Sequence, residues 1–175
     1  MRRLSEKASS SGGDERAEAM LRDLKKAGLK MTPQRIAIVR LFADDESHPT
    51  AQGLFERLRG AFPSMSFATV YNTLDALARA GLSGTLRLGN AARFDPNTSA
   101  HHHAVCDTCG AVKDVPADTL SPGADSRKRL GKVAPGFSVR SVERIYRGVC
   151  AECAPPEAHP SRPRTRPSHN TRARI

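Results

Sequence analysis

The chain's four cysteines fall in two matched pairs, Cys106-x-x-Cys109 and Cys150-x-x-Cys153. At that spacing each pair forms a short knuckle with two thiolates on one side, and two knuckles can surround one tetrahedral zinc. Such a site is closed, so it holds structure and does no catalysis. Zinc joining two distant segments would contribute folding free energy on the order of 10 kcal/mol. Two disulfides or a dithiol redox centre are the rivals. A redox pair normally precedes a helix in a βαβ unit, and neither pair here does.

A second set of donors is harder. His101 and His103 alternate, so on an extended segment both leave one face and His102 leaves the other. Asp95 and Asp114 are the nearby oxygen donors, and His48 lies in the preceding helical half. Three imidazoles and two carboxylates favour five- or six-coordinate Fe(II), Mn(II) or Zn(II), not calcium. The alternative is a surface histidine tract, with His48 an ordinary loop residue before Pro49.

The elements that must position these donors change type midway. Ala17, Leu21 and Leu24 share a helical face and Gly28 supplies a stop. Thr32-Pro33 opens a second helix, whose apolar residues are Ile36, Val39, Leu41 and Phe42. Thr50 caps a third, with Leu54, Phe55 and Leu58 inward; Ser66 caps a fourth, with a Val70/Leu74/Leu77 stripe and a stop at Gly81. Residues 82–88, a Gly89-Asn90 turn and residues 91–95 read as a hairpin. Helices followed by a hairpin give the order of a winged helix-turn-helix.

From residue 104 the pattern is of short strands, at 104–106, 112–115 and 137–149, with a weak helix at 124–133. The fold class expected is α+β. A winged helix-turn-helix spans 15–95, a hinge 96–100, and a small α/β unit 101–153. Residues 1–14 read as a flexible arm and 154–175 as a Pro/Arg-rich tail, neither apolar enough to fold.

The net charge is +10, a balance expected of a protein that meets a polyanion. The tail holds five arginines against one glutamate, so the remainder is still basic. No apolar run approaches the ~18 residues a membrane span needs. The N-terminus lacks a signal-peptide core, so a cytoplasmic location with reduced thiols is expected.

On the fourth helix Thr69, Tyr71, Asn72 and Thr73 lie off the apolar stripe, where such side chains reach base edges and thymine methyls. Lys25, Lys26, Lys30, Arg35 and Arg57 would supply phosphate contacts. The plainer reading is a solvated polar face.

Seven co-linear motifs carry a resemblance. They are residues 24–30 (Leu-Lys-Lys-Ala-Gly-Leu-Lys), Thr32-Pro33-Gln34-Arg35, His48-Pro49-Thr50-Ala51, residues 68–74 (Ala-Thr-Val-Tyr-Asn-Thr-Leu), Arg93-Phe94-Asp95, His101-x-His103-Ala104-x-Cys106-x-x-Cys109-Gly110, and Gly148-x-Cys150-x-x-Cys153. The chain resembles the ferric uptake regulator family of bacterial metal-dependent transcription factors, and within it the peroxide-sensing branch. The resemblance implies a homodimer that binds a double-stranded DNA operator, with residues 101–153 as the dimerisation domain. It implies structural Zn(II) on the four cysteines, and regulatory Fe(II) or Mn(II) on His48, Asp95, His101, His103 and Asp114. Other branches often carry Glu at one of the two Asp positions.

The sequence also departs from the family. No His lies between residues 104 and 158, where many members use one near the position of Val142 for an additional metal site. The dimerisation helix is interrupted by Pro122-Gly123, and the Arg-rich tail is unusual. The function implied is repression relieved when peroxide oxidises a ligating His. Its rivals are a sensor of iron, zinc or manganese supply and, more remotely, a metal-dependent hydrolase. A nearly saturated five-ligand site argues against the hydrolase, because catalytic sites keep a position open.

Overall fold

The computed structural model describes residues 11–89, 91–117, 134–136 and 142–155. Helices α1 (Ser11–Lys26), α2 (Pro33–Ala43), α3 (Ala51–Leu58) and α4 (Phe67–Arg79) precede a hairpin of β1 (Gly84–Leu88) and β2 (Ala91–Asp95). A sheet follows, made of β3 (His101–Cys106), β4 (Val112–Pro116) and β5 (Ile145–Gly148).

The helix ends are chemically specified. Thr32, Thr50 and Ser66 each accept, through the side-chain oxygen, the N–H three residues on, at 3.3, 3.0 and 3.1 Å. At the other ends Gly28 and Gly81 take φ of 85° and 71°. That turn lets Leu29 N–H reach Leu24 O at 3.0 Å and Leu82 N–H reach Leu77 O at 2.9 Å. Leu82 therefore closes the α4 cap, and the wing strand begins at Gly84 and not at 82.

One apolar core joins the four helices through Met20, Leu24, Ile38, Val39, Phe42, Leu54, Val70, Leu74 and Leu77. Phe94 of β2 enters the same core, which anchors the wing to the helices. Two expectations need correction. Ile38, not Ile36, is the buried isoleucine of α2, because Ile38, Val39 and Phe42 form the stripe that faces inward. The arm expected over 1–14 is cut short, since α1 already begins at Ser11. Gly13 makes that packing possible: a Cβ there would stand 2.5 Å from the Asp44 carboxylate just beyond α2.

In the second half β3 is central, antiparallel to β4 and parallel to β5. It starts three residues before the expected 104, so the histidines lie on the strand itself. The register sets His103 directly opposite Asp114. The expected helix over 124–133, Pro122-Gly123, Asn90, most of the arm, residues 156–175 and the start of the 137–149 strand lie outside the described residues. Among those described, no helix is long and apolar enough to cross a membrane.

The burial difference in α2 is measurable. Ile38→Ala should cost about 2–5 kcal/mol of unfolding free energy and the half-buried Ile36→Ala less than about half of that. Urea unfolding of the zinc-loaded protein, followed by circular dichroism, would show equal losses if the assigned core face were wrong.

Candidate metal centres

Neither CxxC pair forms a disulfide, and the four sulfurs lie within 4.8 Å of one another. Tight turns build both knuckles: Gly110 N–H meets Cys106 O at 2.9 Å and Cys153 N–H meets Cys150 O at 3.0 Å. Cys150 N–H also donates to Cys106 Sγ at 3.3 Å, which stitches one knuckle to the other. Sulfurs about 2.3 Å from a tetrahedral zinc stand roughly 3.8 Å apart. Cys109 and Cys150 Sγ are 3.7 Å apart.

Their acidities show why a cation belongs there. Backbone N–H groups of Cys109 and Cys150 pull the Cys106 thiol down to about 6, while the neighbouring Cys150 and Cys109 thiols push Cys153 up to about 12. The cluster stabilises one thiolate and resists a second. A divalent ion reverses that resistance, because its charge favours every ligating thiolate.

The harder donors converge as closely. His48, Asp95, His101, His103 and Asp114 each offer an atom within 4.8 Å of the others. His48 Nε2 is 2.8 Å from Asp114 Oδ1, His101 Nε2 is 2.8 Å from Asp95 Oδ2, and His101 and His103 Nε2 are 2.9 Å apart. A first-row divalent ion holds N and O ligands at ~2.1 Å, which places adjacent donors about 3 Å apart and opposite ones about 4.2 Å apart.

What lies behind the rings decides their chemistry. His48 Nδ1 is 3.1 Å from Glu46 O, His101 Nδ1 is 2.7 Å from Ser99 O, and His103 Nδ1 is 2.8 Å from Glu143 Oε1. Each partner is an acceptor, so each Nδ1 carries the proton and each Nε2 turns a lone pair inward. Two such lone pairs at 2.9 Å repel unless a cation stands between them. His48 Nε2 is moreover buried with no aligned hydrogen-bond partner, although Asp114 Oδ1 is near. This donor set fits a metal ion.

The supporting structure is local. His48 sits in the left-handed region at φ 55°, the only non-glycine residue described there. Such a conformation is costly for a residue with a Cβ and is retained where surrounding contacts impose it. Here Asp45 accepts from Ser47 N–H and pairs with Arg57, while Arg93 Nη1 donates to His48 O at 3.1 Å. Phe94 N–H adds a 3.0 Å bond to Pro49 O, tying the His48 loop to the wing strand. Gly84 is paired with Asp95 across the hairpin, and a Cβ there would stand 3.3 Å from the Asp95 Cβ.

Burial lowers the His48 pKa, but Asp95, Asp114 and the Glu46 carbonyl outweigh it and leave it raised. Burial raises Asp95, yet His48 and the Asn97 N–H bring it below the ordinary carboxylate range. His102 leaves the opposite face of β3 and approaches the Tyr146 ring, 6.2 Å between centroids.

Residues 26–134 match the Ferric uptake regulator family. The chain belongs to the ferric uptake regulator family. The peroxide operon regulator of Bacillus subtilis is 41% identical over 140 residues, covering 79% of this chain and 94% of the relative. The Campylobacter jejuni peroxide stress regulator structure is 30% identical with a TM-score of 0.57, covering 76% of this chain and 98% of that one. A zinc uptake regulator solved with zinc and DNA is 26% identical with a TM-score of 0.60, covering 82% and 96%.

The residues expected to meet DNA are not placed alike. Tyr71 and Asn72 are exposed on α4, beside the exposed Phe67, and Thr69 is half-buried with its hydroxyl 2.9 Å from Ser66 Oγ. Thr73 is a correction: it is fully buried and donates to Thr69 O at 2.7 Å. It belongs to the inward stripe with Val70, Leu74 and Leu77, a spacing of i, i+3, i+4 and i+7. Lys25 and Lys30 are exposed, while Arg35 Nη1 donates to Lys30 O at 2.7 Å and braces the α1–α2 turn. Arg57 is engaged by Asp45. Glu143, the Glu46 and Ser99 carbonyls and Asn97 carry no mark in the sequence, because nothing in their spacing shows them as partners of distant donors.

Protons compete with metal for the inward lone pair of His48, and its raised pKa extends that competition upward. Mn(II) affinity at the His/Asp centre should weaken as pH falls from about 8 to 6. In the metal-free protein the sign is opposite: the His48–carboxylate contact stabilises the fold below the ordinary histidine pKa and is lost as pH rises through the raised one. Calorimetric titration across that range would exclude histidine ligation if the affinity stayed flat.

Proposed function

We propose that this chain is a metal-dependent transcriptional repressor that binds double-stranded operator DNA as a homodimer and is released by hydrogen peroxide. In this reading it is a cytoplasmic regulator and not an enzyme. The winged helix-turn-helix occupies residues up to 95, a hinge 96–100, and the dimerisation domain 101–153. The observation that carries the proposal is the five-donor His/Asp cluster, drawn from both halves of the chain, in a relative of peroxide-responsive repressors.

His48 and Asp95 come from the helical half and its wing, whereas His101, His103 and Asp114 come from the sheet. Holding all five at one point fixes the angle between the halves. In a dimer that angle sets the separation of two recognition helices, which must match half-sites on the DNA. Ligation thus shifts a hinge equilibrium toward the DNA-competent arrangement. In the DNA contact itself Tyr71, Asn72 and Thr69 read bases, and Lys25 and Lys30 meet phosphates. The four cysteines hold structural zinc, which keeps β3 and the segment after β5 together whatever the state of the sensor.

Regulatory Fe(II) held by these five residues would activate hydrogen peroxide beside the rings; peroxide is the net two-electron oxidant, one oxygen passing to a ring carbon and the other leaving as water. His101 is the ring most open to such an attack. It lines a cavity of about 420 Å³ with Asn97, Ser99, Asp114 and Pro116, and Asp114 is itself 35% exposed. An imidazole that gains oxygen is a poor ligand, so its loss opens the clamp and ends repression. With Mn(II) the same residues hold the clamp without that oxidation.

Protein loaded anaerobically with Fe(II), then given near-stoichiometric peroxide, should gain oxygen on His101, with His103 or His48 as further targets. The Mn(II) form should gain none. Peptide mass spectrometry reads this directly, and unmodified histidines in both forms would favour a sensor of metal supply. Asp114→Ala should abolish metal-dependent DNA binding. In a DNA titration Tyr71→Ala should weaken binding by about 1–3 kcal/mol, while Thr73→Val should leave it unchanged. Equal effects would contradict the burial of Thr73.

A further inference from the structure

Asn97, in the short segment between wing and sheet, touches both aspartates of the His/Asp centre. Its backbone N–H donates to Asp95 Oδ1 at 2.8 Å, and its side-chain Nδ2 donates to Asp114 Oδ2 at 2.6 Å. The oxygens left over are the inward ones, Asp95 Oδ2 beside His101 and Asp114 Oδ1 beside His48. Asn97 Oδ1 in turn accepts Ser99 N–H at 3.1 Å and the Ser99 hydroxyl at 2.5 Å. The Ser99 carbonyl is the acceptor that orients His101. One residue, not itself a ligand, therefore reaches three of the five donors.

We propose that Asn97 is a positioning residue that limits each aspartate to a single inward oxygen, and so keeps the centre at five protein donors. The inference rests on the regulatory-metal reading above. A carboxylate has two oxygens and binds an ion through one or both. Engaging the outer oxygen in a hydrogen bond removes it from competition and fixes the rotation of the group, as outer-shell partners commonly do. At Asp95 the donor is main chain, which no substitution at 97 except proline removes. At Asp114 the donor is the Asn97 side chain, and Asp114 is the more exposed aspartate, at 35% against 5%. Asp114 is therefore where the constraint depends on the identity of residue 97.

Cobalt(II) tests this, because its visible d–d bands are strong at four or five ligands and weak at six. With zinc kept in the cysteine site, one equivalent of Co(II) should give wild-type protein the stronger band, without sulfur charge-transfer absorption. Asn97→Ala should retain zinc and its unfolding transition but lose d–d intensity as Asp114 turns both oxygens inward. Its Mn(II) affinity should change by about 10–100-fold. If Asn97→Ala does not retain zinc, Asn97→Asp serves instead: it keeps an acceptor for Ser99 and removes the donor to Asp114, and because its added charge alters Mn(II) affinity by itself, the d–d band is its readout. A weak six-ligand band in wild type, or a variant band and Mn(II) affinity indistinguishable from wild type, overturns the role of Asn97. No cobalt uptake beyond the zinc site, or uptake insensitive to His101→Ala, overturns the regulatory-site reading itself.

Discussion

Three imidazole lone pairs and two carboxylate oxygens turned toward one point are the constraint around which this fold is arranged. The rings cannot relieve the crowding by exchanging protons, because each Nδ1–H is already committed to an acceptor behind it. The acceptors are of different kinds, a loop carbonyl, a linker carbonyl and the Glu143 carboxylate, and they come from three separate parts of the chain. The left-handed His48, the glycine opposite Asp95 and the β3–β4 register that faces His103 with Asp114 all serve the same convergence. Local strain and missing side-chain bulk are tolerated there because contacts elsewhere over-determine the loop.

The two centres divide the work by ligand softness. Thiolates select zinc and bind it in a closed tetrahedron, while mixed imidazole and carboxylate donors suit ions that take more ligands and exchange them. The soft centre joins segments within one half, so zinc held there would contribute to folding and carry no signal. The hard centre joins segments of both halves, so whatever binds there contributes to their relative placement. An ion shifts such an equilibrium only by its differential affinity for the two arrangements. Drawing two donors from one half and three from the other would make that difference large, since separating the halves would break the donor set.

Much of this was legible in the residues. The three N-caps and both glycine stops were read from local chemistry alone, and the cysteine spacing named its own partners. The His101/His103 alternation followed from strand geometry, and the strand is there. What escaped was of two sorts. Thr73 was misplaced because a threonine on a helix is polar by type, yet its hydroxyl can bond the carbonyl one turn back and be buried. Asn97 and Glu143 escaped because their importance lies in what distant residues bring to them. Asn97 reads as a turn former and Glu143 as a surface carboxylate until the fold sets Asp114 beside Asn97 and His103 beside Glu143.

In the proposed metal-bound state the five donors would not tie the two halves in the same way. Asp95 and His101 flank residues 96–100, so the short connection itself keeps them near each other, and their 2.8 Å approach adds little to what it imposes. His48 and Asp114 are far from that connection in sequence, so their 2.8 Å approach depends on how the loop before α3 meets β4. In the proposed metal-bound state the contact between His48 and Asp114 would therefore carry more of the coupling, the first held by a strained loop bolted to the wing, the second by its hydrogen bond to Asn97. An oxidised His101 would act through the shared ion, by weakening the point at which His48 and Asp114 are joined.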